Sequence, residues 1–172
     1  MDLGDLQRHL SSHVLLDTLK GTKLTGFGVA TDGSDEDTMT RSLGSYQWMA
    51  PEVIKEAHYS TASDIYAFGV IVSELTTHKV PYEGMANFTN GALMSQALVM
   101  RQIAMGELMP SFSASAPEGI VALGRDCLAL DPDARPTALQ LTRRIDCLIG
   151  NLRYQSDSVK LQSCCVPGPC VD

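Results

Sequence analysis

The chain has 172 residues, long enough for one domain with a real core. Apolar residues make up 44% and charged residues 19%, which fits a globular protein and excludes a disordered one. A net charge of −7, with no basic cluster, argues against nucleic acid or an anionic membrane surface as the main partner.

In chain order, MDLGDLQRHL reads as a short amphipathic helix, with Leu3, Leu6 and Leu10 on one face. Val14-Leu15-Leu16 and Lys23-Leu24-Thr25 read as two short strands around a Leu19-Lys20-Gly21-Thr22 turn. Residues 32–45 are polar and read as a flexible loop. Residues 61–78 predict a buried helix, capped by Ser63 and favoured at its start by Asp64. On it Ile65, Phe68, Val72 and Leu75 share a face, and Ala67, Val70 and Ile71 extend the apolar surface most of the way round. Such a helix belongs at the centre of a domain. Pro81 then marks a loop to Asn90.

Residues 92–105 predict a further helix, with Leu93, Ala97, Met100, Ile103 and Ala104 as its stripe and Gly106 as its stop. The methionines near it read as adaptable core filler. Pro117 opens the next helix, whose inner face is Ile120, Leu123, Cys127 and Leu128. Asp131-Pro132-Asp133 is a turn. Thr137 caps a last helix to about Gly150, and the segment from Ser156 has no periodicity and is expected to be disordered.

No apolar run approaches the roughly 18–20 residues of a membrane-spanning helix. The start carries charges and no signal-peptide core, so a cytoplasmic location is expected. The five cysteines offer no pair of C-x-x-C motifs, so no structural zinc site is expected. Pro169, fourth from the end, rules out a prenylation box.

Two fragments carry a family signal: Trp48-Met49-Ala50-Pro51-Glu52 and Asp64-Ile65-Tyr66-Ala67-Phe68-Gly69-Val70, followed by Arg135-Pro136-Thr137. In this order and at this separation they resemble the A-P-E, the helix aspartate and the late arginine of the eukaryotic protein kinase large lobe. The run Gly44 to Glu52 resembles that of the tyrosine-kinase-like serine/threonine group. The resemblance implies that Glu52 and Arg135 form a buried ion pair, a task for which the planar fork of Arg is suited. It implies that Asp64 receives backbone hydrogen bonds from the catalytic loop, and that residues 44–52 form the peptide-docking platform. It makes residues 32–45 the activation segment, with Thr38, Thr40, Ser42 and Ser45 as candidate phosphate acceptors. For Trp48 and Tyr46, packing is favoured over direct contact with a partner.

The same resemblance exposes losses. Phosphoryl transfer needs a phosphate cradle, a lysine, a catalytic aspartate, and an asparagine and aspartate on magnesium. No glycine-rich loop with its lysine occurs. Thr25-Gly26-Phe27-Gly28 occupies the D-F-G place, so Gly26 stands where the metal aspartate should be. Glycine offers a hard cation no carboxylate. His13 stands at the place of the catalytic-loop asparagine, and imidazole suits magnesium poorly. Leu10 runs straight into Ser11-Ser12-His13, so the H-R-D aspartate and the long helix before it are absent. Asp17 and the acidic run Asp32, Asp35, Glu36 and Asp37 are read as solvated and not as substitute metal ligands.

These features together predict a mainly α domain over residues 1–150. It is a kinase-like C-terminal lobe with a short β-hairpin near the start, without the small lobe or the helix before the catalytic loop. Residues 151–172 are expected to be a disordered tail. The expected function is that of a non-catalytic interaction module, with no ATP, magnesium or other metal bound. A protein partner is expected on the face of the 61–78 helix that the missing helix leaves open. The alternative is an ATP- and magnesium-dependent serine/threonine kinase.

Overall fold

The computed structural model describes the backbone of residues 14–17, 21–24, 46–86 and 91–163, and side chains within 46–86 and 91–151. The described residues are mainly helical. Two strands, β1 (Val14–Asp17) and β2 (Gly21–Leu24), pair antiparallel with Val14 opposite Leu24 and Asp17 opposite Gly21. The hairpin is where the apolar runs placed it, but Gly21 and Thr22 belong to β2 and not to the turn. The ladder claims their backbone groups, which a turn would leave unpaired.

A short 3-10 turn at Tyr46–Trp48 leads into α1 (Pro51–Glu56). Pro51 lies at the start of α1, where its missing N–H costs nothing. Ala57 ends the helix in the left-handed region at φ 53°, its N–H donating to the Val53 carbonyl.

Helix α2 (Thr61–Thr77) is the centre of the fold. Its cap is Ser60, not Ser63 as expected. Ser63 is the third helical residue, and its side chain reaches back to the Ser60 N–H at 3.2 Å. This is a capping box in which serine replaces the usual Glu or Gln. Ile65, Tyr66, Gly69, Val70, Val72, Ser73 and Glu74 are buried on α2. Leu75 was expected inside and is 41% exposed, while Ala67, Phe68 and Ile71 are half-buried. The buried stripe is rotated towards Tyr66 and Val70, because those positions meet the core cluster of Ala50, Val53, Val99, Ile103 and Leu128.

Helix α3 (Gln96–Met105) starts later than the apolar pattern implied. Ser95 caps it, accepting from the Leu98 N–H at 3.3 Å, while an antiparallel bridge pairs Ala86 with Leu93. Leu93 is therefore 75% exposed and Ala97 is also exposed, so neither belongs to the inner stripe, which is Val99, Ile103 and Ala104. Gly106 ends the helix at φ 72°, as its position suggested.

Helix α4 (Glu118–Cys127) follows Pro117 and buries Leu123, Gly124 and Cys127 against α2. The two helices approach closely through glycines. A Cβ on Gly69 would lie 2.8 Å from the Cys127 Cβ, and one on Gly124 would lie 2.5 Å from the Phe112 ring. A 3-10 turn at Pro132–Ala134 follows, capped by the Asp131 carboxylate on the Asp133 N–H at 3.0 Å.

The chain divides into two compact units, residues 1–137 and 138–172. The second contains α5 (Ala138–Ser163). The expected end near Gly150 is corrected here: the helix runs on to Ser163, and residues 164–172 of the expected disordered tail lie outside the described residues. Once nucleated, a helix extends at little cost, and no proline lies between Pro136 and Pro167. No described helix is long and apolar enough to cross a membrane.

The glycine seam makes a clear prediction. Gly124→Ala forces its methyl group into the Phe112 ring, and overpacking of this kind costs about 1–3 kcal/mol. Chemical denaturation of Gly124→Ala, compared with Gly150→Ala at a helical position with no atom within 4 Å, checks the packing term, since both carry the same helix-propensity change.

Candidate functional site: the Glu52–Arg135 scaffold and the 46–52 segment

The site grows from α1. Its first turn carries Glu52, and the Pro132–Ala134 turn delivers Arg135 to it from 83 residues away in sequence. Arg135 Nη1 donates to Glu52 Oε1 at 2.7 Å, and Nη2 donates to Oε2 at 2.8 Å. The pair is bidentate, with side-chain exposures of 0% for Arg135 and 11% for Glu52. The remaining donors are also used. Nε donates to the Ala129 carbonyl at 2.8 Å, Nη1 to the Ala62 carbonyl at 2.9 Å, and Nη2 to the Leu130 carbonyl at 3.5 Å. The guanidinium also lies 5.0 Å from the centroid of the Tyr66 ring. Ser63 Oγ donates to Glu52 Oε1 at 3.1 Å, so the cap of α2 and the ion pair share an oxygen.

Burial pushes the Glu52 carboxyl up, but the Arg135 hydrogen bond and charge, with the Ser63 hydroxyl, more than offset it and hold it below its usual value. The expected ion pair is thus present. Neither Ser63 nor Tyr66 was read in the sequence as part of it. The S/T-x-x pattern at Ser60 and Ser63 was the available signal for the first.

Ala50 is buried and Pro51 starts α1, so the Ala-Pro-Glu motif forms a turn of backbone on the core. Tyr46, Trp48 and Met49 pack against the core cluster, which is the role favoured for both aromatic residues. Trp48 has a second task that the sequence did not reveal: its Nε1 donates to Glu74 Oε2 at 3.3 Å. Glu74 is 2% exposed, and its burial pushes the carboxyl above the usual range, the Trp48 N–H drawing it partly back. Gln47 Oε1 is buried without a hydrogen-bond partner, and the buried Tyr82 hydroxyl interacts with the Tyr66 hydroxyl. Burial also raises the Tyr82 phenol.

Asp64 lies in the first turn of α2 and is exposed. His13, Gly26, Phe27, Gly28, Asp32, Asp35, Glu36, Asp37, Thr38, Thr40, Ser42 and Ser45 lie outside the described residues. Asp17 lies within β1, opposite Gly21. Among the described residues no group of three or more His, Cys, Asp or Glu is arranged to hold a metal ion.

Against this geometry the comparisons are specific. The protein kinase domain model matches residues 11–144. Human mitogen-activated protein kinase kinase kinase 11 is 34% identical over 129 residues, which is 75% of this chain and 14% of that protein. The human kinase kinase kinase 10 is 31% identical over 146 residues, covering 85% of this chain and 14% of that protein. The dual specificity protein kinase pyk3 of Dictyostelium discoideum is 30% identical over 160 residues, covering 90% and 11% respectively. The chain therefore spans about a seventh of the length of these human relatives. It belongs to the eukaryotic protein kinase superfamily, in the tyrosine-kinase-like group.

Removing either partner of the buried pair leaves the other charge uncompensated, at a cost of about 3–5 kcal/mol. Glu52→Gln is expected to lose that amount, and Arg135→Lys a large part of it, because an ammonium cannot match the planar fork. Urea unfolding measures both. The sign of the pH effect follows from the lowered Glu52 value. Its contribution is present above the ordinary carboxyl value of 4.5 and lost as pH falls through the lowered one. Glu52→Gln should abolish that acid limb of the stability profile.

Proposed function

We propose that this chain is a non-catalytic, protein-kinase-like module whose role is protein interaction. One observation carries the reading: in the sequence, Gly26 stands at the place of the family's metal-binding aspartate. Magnesium needs carboxylate oxygen there to bridge the phosphates. His13 at the asparagine place and the lack of an H-R-D aspartate point the same way. The ion pair at Glu52 and Arg135 preserves the scaffold, which is the part an interaction module needs. Fold and chemistry separate here, as they do across large families.

The partner we propose is an amphipathic helix, laid along Phe68, Ile71 and Leu75 of α2. In the family a helix precedes the catalytic loop, and this sequence lacks it between Leu10 and Ser11. The proposed location is the cytoplasm, where such a partner is available. A second reading is protein serine/threonine kinase activity, favoured by the names of the relatives.

Thermal denaturation with and without ATP and magnesium separates the two. A ligand at about 100 times its Kd stabilises a protein by about 2.7 kcal/mol. The proposal expects an unchanged Tm with both present, and no transfer of labelled phosphate to a generic peptide. A clear upward shift that needs both nucleotide and metal, together with transfer, would establish the kinase reading instead.

A further inference from the structure

Of the described acidic residues only Glu74 is buried. Its situation is the reverse of Glu52, which has a guanidinium and a hydroxyl. The Glu74 carboxylate has one neutral donor, the Trp48 indole N–H, at a long 3.3 Å. Among the described residues no cation accompanies it. On α4, Glu118, Arg125 and Asp126 are exposed, as are Asp131 and Asp133 around the 132–134 turn. Arg135 is committed to Glu52. The Tyr46–Trp48 turn brings only the Tyr46 phenol, and the end of α2 leads to exposed His78 and Lys79. The Glu74 carboxyl is shifted by burial and by Trp48, and by none of these charges.

An ionised carboxylate so placed is poorly solvated, whereas the neutral acid is not. The cheapest relief is water. The nearest yielding element is the Tyr46–Trp48 turn, whose three residues are all partly exposed. That turn already holds a buried acceptor without a donor, Gln47 Oε1. We propose that Glu74 and Trp48 form a proton-operated latch: neutral Glu74 seats the Tyr46–Trp48 turn on α2, and loss of its proton to bulk water loosens the turn. The latch does not depend on whether the chain transfers phosphate. It governs the segment that enters Ala50-Pro51-Glu52.

The linkage has a definite sign. A raised native value means the folded state holds the proton more tightly than the unfolded one. The stabilisation is complete below the ordinary carboxyl value and disappears as pH rises through the raised one.

The chain has one tryptophan, so its emission reports on the latch directly. The full chain is titrated from about pH 4 to about pH 9, with far-UV circular dichroism marking the folded range. In the wild type the emission should shift to the red in one step, and iodide quenching should rise severalfold, above the ordinary carboxyl range. Glu74→Gln keeps an acceptor for Trp48 without the charge. It should stay blue-shifted and weakly quenched throughout, with a higher Tm than the wild type at neutral pH. His78→Asn should retain the step, which separates it from imidazole titration. The wild-type quenching curve needs no variant and stands if one fails to fold. A wild type with no step, a step that survives in Glu74→Gln, or a step lost in His78→Asn overturns the latch.

Discussion

Every N–H of Arg135 has an acceptor, and that single fact ties together segments far apart in the chain. Two go to Glu52 at the start of α1, one to the Ala62 carbonyl at the start of α2, and two to the carbonyls of Ala129 and Leu130 after α4. The ring of Tyr66 covers the guanidinium from α2. A buried charge is tolerated only when it is paired and its donors are used, and both conditions are met here. The directions of five donors in one plane fix geometry as well as energy. The approach of α1 to α2 and the path of the chain after α4 are set together by one side chain.

The second constraint is steric. Where α2 and α4 are closest, Gly69 and Gly124 provide the space, and Cys127, Phe112 and Val72 fill it. With the ion pair at one end of α2 and the glycine contacts along it, the 46–49 segment is held, among the described residues, by apolar packing and by one hydrogen bond to Glu74. Two carboxylates therefore stand under opposite conditions, Glu52 half-buried in an ion pair and Glu74 buried beside one neutral donor. One is lowered by an arginine; the other is raised by burial. The first ties distant segments together by five donors; the second, on the latch we propose, lets go when Glu74 loses its proton.

This division bears on function. Membership of the protein kinase superfamily is carried by the residues that hold the large lobe together. The residues that would hold nucleotide and metal are a separate set, and on the reading we propose they are replaced in this sequence. A scaffold of this kind keeps its surfaces, and surfaces suffice for binding another protein.

Some of this was legible in the residues alone. The hairpin, the central helix, the Gly106 stop, the Asp131 turn and the pairing of Glu52 with Arg135 all follow from local pattern or from short motifs, because each depends on near neighbours or on residue types with few alternative uses. Other features were not. Apolar periodicity put Leu75 inside and left Tyr66 and Glu74 unremarked, since α2 is apolar around most of its circumference and periodicity cannot choose a face. Leu93 looked like a helix position until an antiparallel bridge to Ala86 claimed it. The end of α5 lies beyond Gly150 because nothing between Gly150 and Ser163 breaks a helix, and a glycine alone does not fix a helix end. What the sequence by itself determined was the family and the existence and order of the main elements, because these are matters of residue identity and local pattern. Only the tertiary structure decided which carboxylate is compensated and which is stranded, because that depends on distance and on the exclusion of water.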